Sequence, residues 1–410
     1  MAIDSAARAG SRVVGIEGLR GLAASGILVY HVWLYGAPGG HEVQLGLIAT
    51  KFCANLISGV TLFFVLSGFL LFRPFVKSIL LGRALPSIRS YIVNRALRIL
   101  PAYWAILLVV ALLFHRGLLR APAQLLANMF FLQDYVPRYM PVSNGGIGIV
   151  PAWSLCVEVV FYLVLPLLAV AVARYAPARS GTMRAAAAPA LLVVVGIAAK
   201  IIERVYHLGG VWQAAFPIRA DWFAAGMIVA ILRVRWETGE LERPAPQHVA
   251  WIVGLAFGGA GASVELYDHG LLTGIEYQTP IAVACAVLLA YVVVGGERTL
   301  VARVLASRPL FLTGLASYSL FLWHDPLLRA FRGAGWTLVG GPGMVANILL
   351  VGVVAGVLSA ISYVFVERPA LRLRSRNRVG MRSTPESKAR VLPVDRDAYQ
   401  APLEPVRTAD

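Results

Sequence analysis

Arg20 and His31 stand eleven residues apart in the stretch EGLRGLAASGILVYH, Glu17–His31, which is otherwise almost wholly apolar. At about 3.6 residues and 5.4 Å per turn, that spacing puts both side chains on one face of a helix, about 16 Å apart along its axis. An ionisable group inside a membrane is costly to bury and commonly lines a polar cavity. Taken singly, Arg20 also fits a snorkelling anchor and His31 a helix-packing hydrogen bond. Imidazole titrates near neutrality, so His31 beside a carboxylate has what general base catalysis on a hydroxyl requires.

Other ionisable residues fall at the depth of His31. Glu158 lies five residues past Trp153 in PAWSLCVEVVFYLVLP, His324 and Asp325 adjoin in SYSLFLWHDPLL, and Arg219 and Asp221 open FPIRADWFAAG. Helix-packing hydrogen bonds account easily for one such residue and poorly for all of them. One shared polar cavity in the outer half of the membrane is expected. Glu158 is the carboxylate expected to orient His31 or balance its charge. Trp153, Arg219, Asp221, His324 and Asp325 are expected to line the acceptor side, since aromatic and hydrogen-bonding groups suit sugars. Ser67, in FFVLSGFLLF, is a further cavity candidate, although Ser-Gly in a membrane helix fits close packing better than a nucleophile. No metal is expected, because no His-x3-His or His/Glu ligand spacing occurs and Cys53, Cys156 and Cys285 have no paired spacing.

The opposite side carries a complementary set. Arg95 and Arg98 share one face of YIVNRALRILPAYW, and with Arg20 they make three guanidiniums at one depth. Each alone fits a topology anchor. Together their planar forks suit phosphate oxygens. A coenzyme A thioester has the matching shape, with phosphates at one end, a thin arm, and a reactive carbonyl at the tip within reach of His31.

The elements that must position these residues follow from composition. The chain has 410 residues, 58% of them hydrophobic and 14% charged, which is too apolar for a soluble protein of this size. Apolar runs of about 20 residues, enough to cross a bilayer, recur along the chain. They lie at 18–35, 54–75, 97–114, 153–173, 187–207, 213–232, 249–266, 280–296, 310–331 and 344–366, predicting an all-α protein of ten transmembrane helices. The first run follows Glu17 and Arg20 and lacks a small-residue cleavage site, so it reads as a retained helix. When ten spans alternate, most of the 37 Lys and Arg residues fall on the side of the two termini, which the positive-inside rule places in the cytoplasm. The net charge of +16 is then a consequence of topology, and nucleic acid is not expected as a partner. The organisation predicted is a cytoplasmic segment 1–14, a membrane domain 15–370 and a disordered basic tail 371–410. The outside loop 115–152 is punctuated by Gly and Pro, which suits either a lid over the acceptor site or a plain surface loop.

Seven short motifs occur in order on these spans: Arg20-x10-His31, FFVLSGFLL, Arg95-x-x-Arg98, WSLCVEVVFYLVLP, RADWFAAG, YSLFLWHDPL and the ERP of residues 367–369. With them the chain, over about residues 12–370, resembles the acyltransferase 3 family of integral membrane acyltransferases. The resemblance implies ten transmembrane helices with cytoplasmic termini in a bacterial cytoplasmic membrane. It implies an acyl-CoA donor, acetyl-CoA foremost, and a sugar, glycolipid, polysaccharide, peptidoglycan or macrolide acceptor. It makes His31 the catalytic residue, as base or transient acyl carrier, Arg20 its essential partner, and Arg95 and Arg98 the donor-binding pair. Glu158 matches the acidic position of the fourth-helix motif. Many relatives have a second Glu beside it; this chain has Val159. With no hydrolase-like domain after the membrane part, the chemistry is expected to fall to the membrane domain or to a separate partner. A proton-coupled transporter or flippase of a charged or glycosylated lipid is the alternative that buried ionisable residues also suit. The sequence leaves the oligomeric state open.

Overall fold

Each apolar run named above is helical, though not always as a single helix. The computed structural model describes residues 15–373 except 115, 141–147, 177–179, 243–245 and 295–299. The segment 1–14, the tail beyond Leu373 and part of the 115–152 loop lie outside the described residues. The long helices are α1 (Ile16–Tyr35), α2 (Ser58–Leu80), α3 (Ile88–Leu113), α4 (Trp153–Tyr175), α5 (Gly181–Tyr206), α6 (Ala220–Glu237), α7 (Pro246–Asp268), α8 (Gln278–Val294), α9 (Ser317–Gly333) and α10 (Gly340–Ser362). Short helical turns join them, and the described residues contain no strand.

Among the described residues six stretches are long and apolar enough to cross a membrane: Leu47–Leu80, Ile88–Leu113, Val150–Tyr175, Gly181–Tyr206, His248–Asp268 and Gly340–Leu373. The chain is a multi-pass membrane protein. Of the other four long helices, α8 is apolar but has only 17 residues. The remaining three, α1, α6 and α9, carry Arg20 and His31, Asp221, and His324 and Asp325. Three helices outside the six thus hold several of the candidate residues.

Two predicted spans are differently built. The run 213–232 is not one helix: Gly210–Ala214 and a 3-10 turn at Pro217–Arg219 precede α6. Proline at 217 fits the first turn of a new helix and breaks a preceding one. The run 310–331 is divided at Ala316, which leaves helical geometry at φ −94°, ψ 6°, between a helix Arg308–Leu315 and α9. Gly314 explains why the short helix stays separate, since a Cβ there would lie 1.8 Å from the Glu17 carbonyl oxygen. Backbone contact with α1 fixes it in place.

Helix α6 is the centre of the molecule and packs mainly on α2 and α5. The α2–α6 crossing is very close: a Cβ at Gly226 would fall 1.8 Å from the Val65 carbonyl, and one at Gly68 2.1 Å from that of Phe223. Small residues that admit such an approach are the usual glue between membrane helices. Phe223 then stacks between Phe64 at 4.7 Å and Phe161 at 4.1 Å, joining α2, α4 and α6. Asp221, expected on the acceptor side, is instead tied to Lys200 Nζ of α5 at 2.5 Å and accepts from Thr279 Oγ1 at 2.8 Å. Both charges are more than nine-tenths buried. Breaking such a pair strands a charge at a cost of about 3–5 kcal/mol, whereas replacing both partners is often close to neutral. Lys200→Met is therefore expected to lower the unfolding midpoint sharply in detergent, and Lys200→Met/Asp221→Asn to recover most of the loss. Equal destabilisation by the single and double variants would show the pair to be unimportant.

Candidate active site

The three predicted arginines meet in one cavity of about 100 Å³ between α1, α2, α3, α4 and α9. Arg20, Arg95, Arg98, Ser67, Glu158, Tyr162 and Ser317 supply its polar wall, and Phe63 and Phe321 are among its apolar lining. Arg20 donates through Nε and Nη2 to Ser317 Oγ, 3.2 Å each, and its Nε lies 3.7 Å from Glu17. Arg98 Nη1 donates to Glu367 Oε2 at 3.2 Å. Glu367 is 2% exposed and also accepts from Ser319 Oγ at 2.5 Å. It ends the π-helical turn Tyr363–Glu367, an irregularity that recurs at functional sites. Among the described residues Arg95 makes no ion pair, and its Nε is buried without a hydrogen-bond partner. A carboxylate already answers Arg20 and Arg98, so Arg95 is the cation left for an incoming anion.

His31 lies on the same face of α1 as Arg20, as its spacing predicts. Both meet α9, Arg20 at Ser317 and His31 at His324, so α1 and α9 run parallel. The polar contacts of His31 fix its tautomer. His324 Nδ1 lies 3.1 Å from the Leu320 carbonyl, which can only accept, so that nitrogen carries the proton. Neutral His324 then offers a lone pair at Nε2, which faces His31 Nδ1 at 3.1 Å. His31 Nδ1 also lies 3.0 Å from the Ile27 carbonyl. Two acceptors around one nitrogen require His31 Nδ1 to hold its proton, and that leaves His31 Nε2 with a free lone pair. A general base or nucleophile needs that lone pair.

The carboxylate whose charge reaches His31 is Asp325. Its Oδ2 pairs with Arg329, one turn on, while its buried Oδ1 lacks a hydrogen-bond partner. Arg329 Nη2 in turn donates to the Gly148 carbonyl at 2.9 Å. Glu158 does not take the place expected of it. It accepts from Ser67 in the arginine cavity, away from the histidine pair. Depth along a helix fixes the level of a residue and leaves its neighbours open, and α4 turns Glu158 toward α2. Ser67 accordingly belongs with the arginines, separate from the acceptor-side candidates. The two groups are nonetheless close: Phe321, which lines the cavity, lies 5.9 Å ring to ring from His324.

Trp153 and Arg219 form a second cluster at the starts of α4 and α6. The guanidinium stacks over Trp153 at 4.7 Å and lies 5.6 Å from the ring of Trp222. Asp134, in the loop before α4, acts on Arg219 by its charge and is hydrogen-bonded to the Cys156 thiol. Burial raises the Asp134 carboxyl above its ordinary range, against the opposing pull of Cys156 and Arg219. The site therefore has three parts: an arginine cavity, a histidine pair and an aromatic–arginine cluster. Among the described residues no group of three or more His, Cys, Asp or Glu side chains is arranged to hold a metal ion.

Sequence reasoning missed Ser317, Lys200 and the role of Glu367. Lys200 carried a usable signal, a lone cation within the apolar run GIAAKIIERV. Ser317 carried none, because a serine one residue after a helix break looks like any loop residue.

Comparison with known proteins gives a consistent picture. A family model described as an acyltransferase domain, that of the acyltransferase 3 family, matches residues 13–366. The exopolysaccharide production protein ExoZ of Rhizobium meliloti is 28% identical, with 78% of this chain and 92% of that protein covered. The peptidoglycan O-acetyltransferase OatA of Listeria monocytogenes is 22% identical over 77% of this chain and 49% of its own length. The O-acetyltransferase OatA of Staphylococcus aureus is 24% identical over 87% and 56% respectively. The chain thus spans about half the length of several curated relatives it matches. No solved structure matches it.

Proposed function

The chain belongs to the acyltransferase 3 family, and from that premise we propose that it is an integral membrane O-acyltransferase. It moves an acyl group, acetyl foremost, from acyl-CoA to a hydroxyl of a sugar, polysaccharide or other glycoconjugate, the class of acceptor that the relatives' names point to. On this reading ten spans and the positive-inside distribution of Lys and Arg leave both termini in the cytoplasm of a bacterial cytoplasmic membrane, and the arginine cavity receives the donor from that side. The observation that carries the reading is the His31 Nε2 lone pair, held by the His324 contact next to a cavity lined by three arginines.

The reaction then proceeds at His31. Nε2 takes the proton of the acceptor hydroxyl as its oxygen attacks the thioester carbonyl carbon. The carbon–sulfur bond breaks, and the leaving thiolate receives the proton from Nε2. Asp325, the neighbour of His324 on α9, supplies a negative charge near the transient imidazolium. Arg95, with Arg20 and Arg98, holds the donor's phosphates. Trp153 and Arg219 present a stacking face and donors to the sugar. Between Arg20 and His31 the only polar side chains of α1 are Ser25 and Tyr30, which favours this reading over a hydrated transport pathway.

The tautomer argument has its own test. His324→Ala removes the acceptor at His31 Nδ1 and lets the ring turn or change tautomer. Acetyl transfer from labelled acetyl-CoA is expected to fall about 10- to 100-fold, within what a positioned base contributes. His324→Gln, whose side-chain oxygen can accept the same proton, is expected to restore part of it. KM for acetyl-CoA should change little in either. A variant pair with equal rates, or a loss confined to KM, would show that His324 does not position His31.

A further inference from the structure

A second chamber, of about 280 Å³, adjoins the arginine cavity between the later half of α2 and the start of α3. Leu70, Leu71 and Arg95 line both, so the two are adjacent. Its polar wall is Ser87, Ser90, Tyr91 and Asn94, and its apolar wall includes Pro74, Phe75 and Pro86. Two buried polar atoms on this wall lack protein partners, Tyr91 OH and Arg95 Nε. Buried donors of this kind are normally satisfied, and their grouping in a cavity marks a place where something else supplies the acceptor. The Tyr91 ring stands edge-on to Phe75 at 5.5 Å, giving one face of the chamber an aromatic character.

Charge narrows the occupant. No Asp or Glu occurs between Glu42 and Asp134, whereas Arg83 and Arg89 lie exposed on either side of Pro86 and Ser87. The chamber also meets the first turn of the 26-residue helix α3, whose free N–H groups and dipole favour an anion. An aromatic wall, unsatisfied donors and a basic rim fit an aromatic base carrying a phosphate. They do not fit an acyl chain or an uncharged sugar.

On the reading that the donor is a coenzyme A thioester, we propose that this chamber is the subsite for its 3′-phosphoadenosine end. Tyr91 and Asn94 contact the nucleoside, and the 3′-phosphate lies at the start of α3 near Ser87 and Arg89. Arg95 bridges the two chambers and takes the pyrophosphate between them. The acyl arm then runs from Arg95 toward Phe321 and the histidine pair. Specificity for coenzyme A over a shorter phosphopantetheine thioester arises in this second chamber, and the arginine cavity treats the two alike.

The test measures equilibrium binding to the full chain in nanodiscs, with acetyl-CoA and acetyl-4′-phosphopantetheine as ligands. The wild type should bind acetyl-CoA at least tenfold more tightly. Tyr91→Ala/Asn94→Ala should lose that preference, bringing acetyl-CoA to the level of the truncated donor without weakening the truncated donor itself. Tyr91→Phe, which removes only the unpartnered hydroxyl, should reduce the preference severalfold while its thermal unfolding matches the wild type, so the outcome does not depend on the double variant folding. An unchanged preference in Tyr91→Phe and in a folded double variant would overturn the subsite. So would an equal loss of both ligands in folded protein. Wild-type protein that binds neither ligand would instead overturn the coenzyme A donor itself.

Discussion

His31→Ala lowers acetyl transfer from acetyl-CoA to envelope polysaccharide by at least about 100-fold, the range in which a positioned general base contributes. The prediction is large because the site offers no second base at that point. His324 Nδ1 donates to Leu320, and His324 Nε2, although freed in this variant, lies on the Nδ1 side of the missing ring, away from the position of His31 Nε2. Asp325 is committed to Arg329, and Glu158 to Ser67 in the other cavity. His31→Asn separates chemistry from packing. Its side-chain amide still donates toward Ile27 or His324 as Nδ1 does, but it carries no basic nitrogen. The two variants should be equally inactive, and His31→Asn should unfold at a temperature nearer the wild type. The measurement is labelled-acetyl transfer in membranes with insertion checked in parallel. Wild-type transfer by correctly inserted His31→Ala protein would remove His31 from the reaction. Acetyl trapped on His31 in acid-quenched protein would make it a nucleophile and replace the single displacement written above by two.

Much of this site could be read in the sequence because a membrane magnifies the signal. A charge in an apolar run is expensive, so Arg20, His31, Asp221, His324 and Asp325 announced themselves, and the eleven-residue spacing correctly gave Arg20 and His31 a common face. Azimuth between helices was not legible. Glu158 was placed at the right level and beside the wrong neighbour, and Asp221 was read as acceptor-facing when Lys200 holds it inside the bundle. Those errors share one cause: rise per residue fixes depth along a single helix, while the pairing of helices depends on close approaches such as Gly68 on Phe223 that no local pattern encodes. The break at Ala316 was hidden for a similar reason, since GLASYSLF contains no proline and its interruption comes from packing on α1.

Glu367 shows how partners far apart in sequence change the meaning of a motif. ERP at the end of the membrane domain and Arg95-x-x-Arg98 at the start of α3 were two separate motifs, and the fold joins them through Arg98 and Glu367. That pairing alters what the arginine double variant will report. Arg95→Ala/Arg98→Ala is expected to weaken acetyl-CoA binding by about 100-fold or more. Each charge-assisted hydrogen bond is worth about 1.5–3 kcal/mol, and every 1.4 kcal/mol is a factor of about ten. Removing Arg98, however, also leaves Glu367 buried with only Ser319 to answer it. Part of any loss would then be stranded charge, which repels a phosphate and destabilises the fold. Arg95→Ala alone avoids this, because Arg95 makes no ion pair among the described residues, and it should account for at least tenfold by itself. Adding Glu367→Gln to the double variant removes the stranded charge. If Arg98 holds donor phosphate, affinity in the triple variant stays far below wild type while thermal stability returns. If Arg98 serves only to neutralise Glu367, affinity returns with it to the level of Arg95→Ala. Binding to nanodisc-embedded protein beside a thermal melt of each variant separates the two.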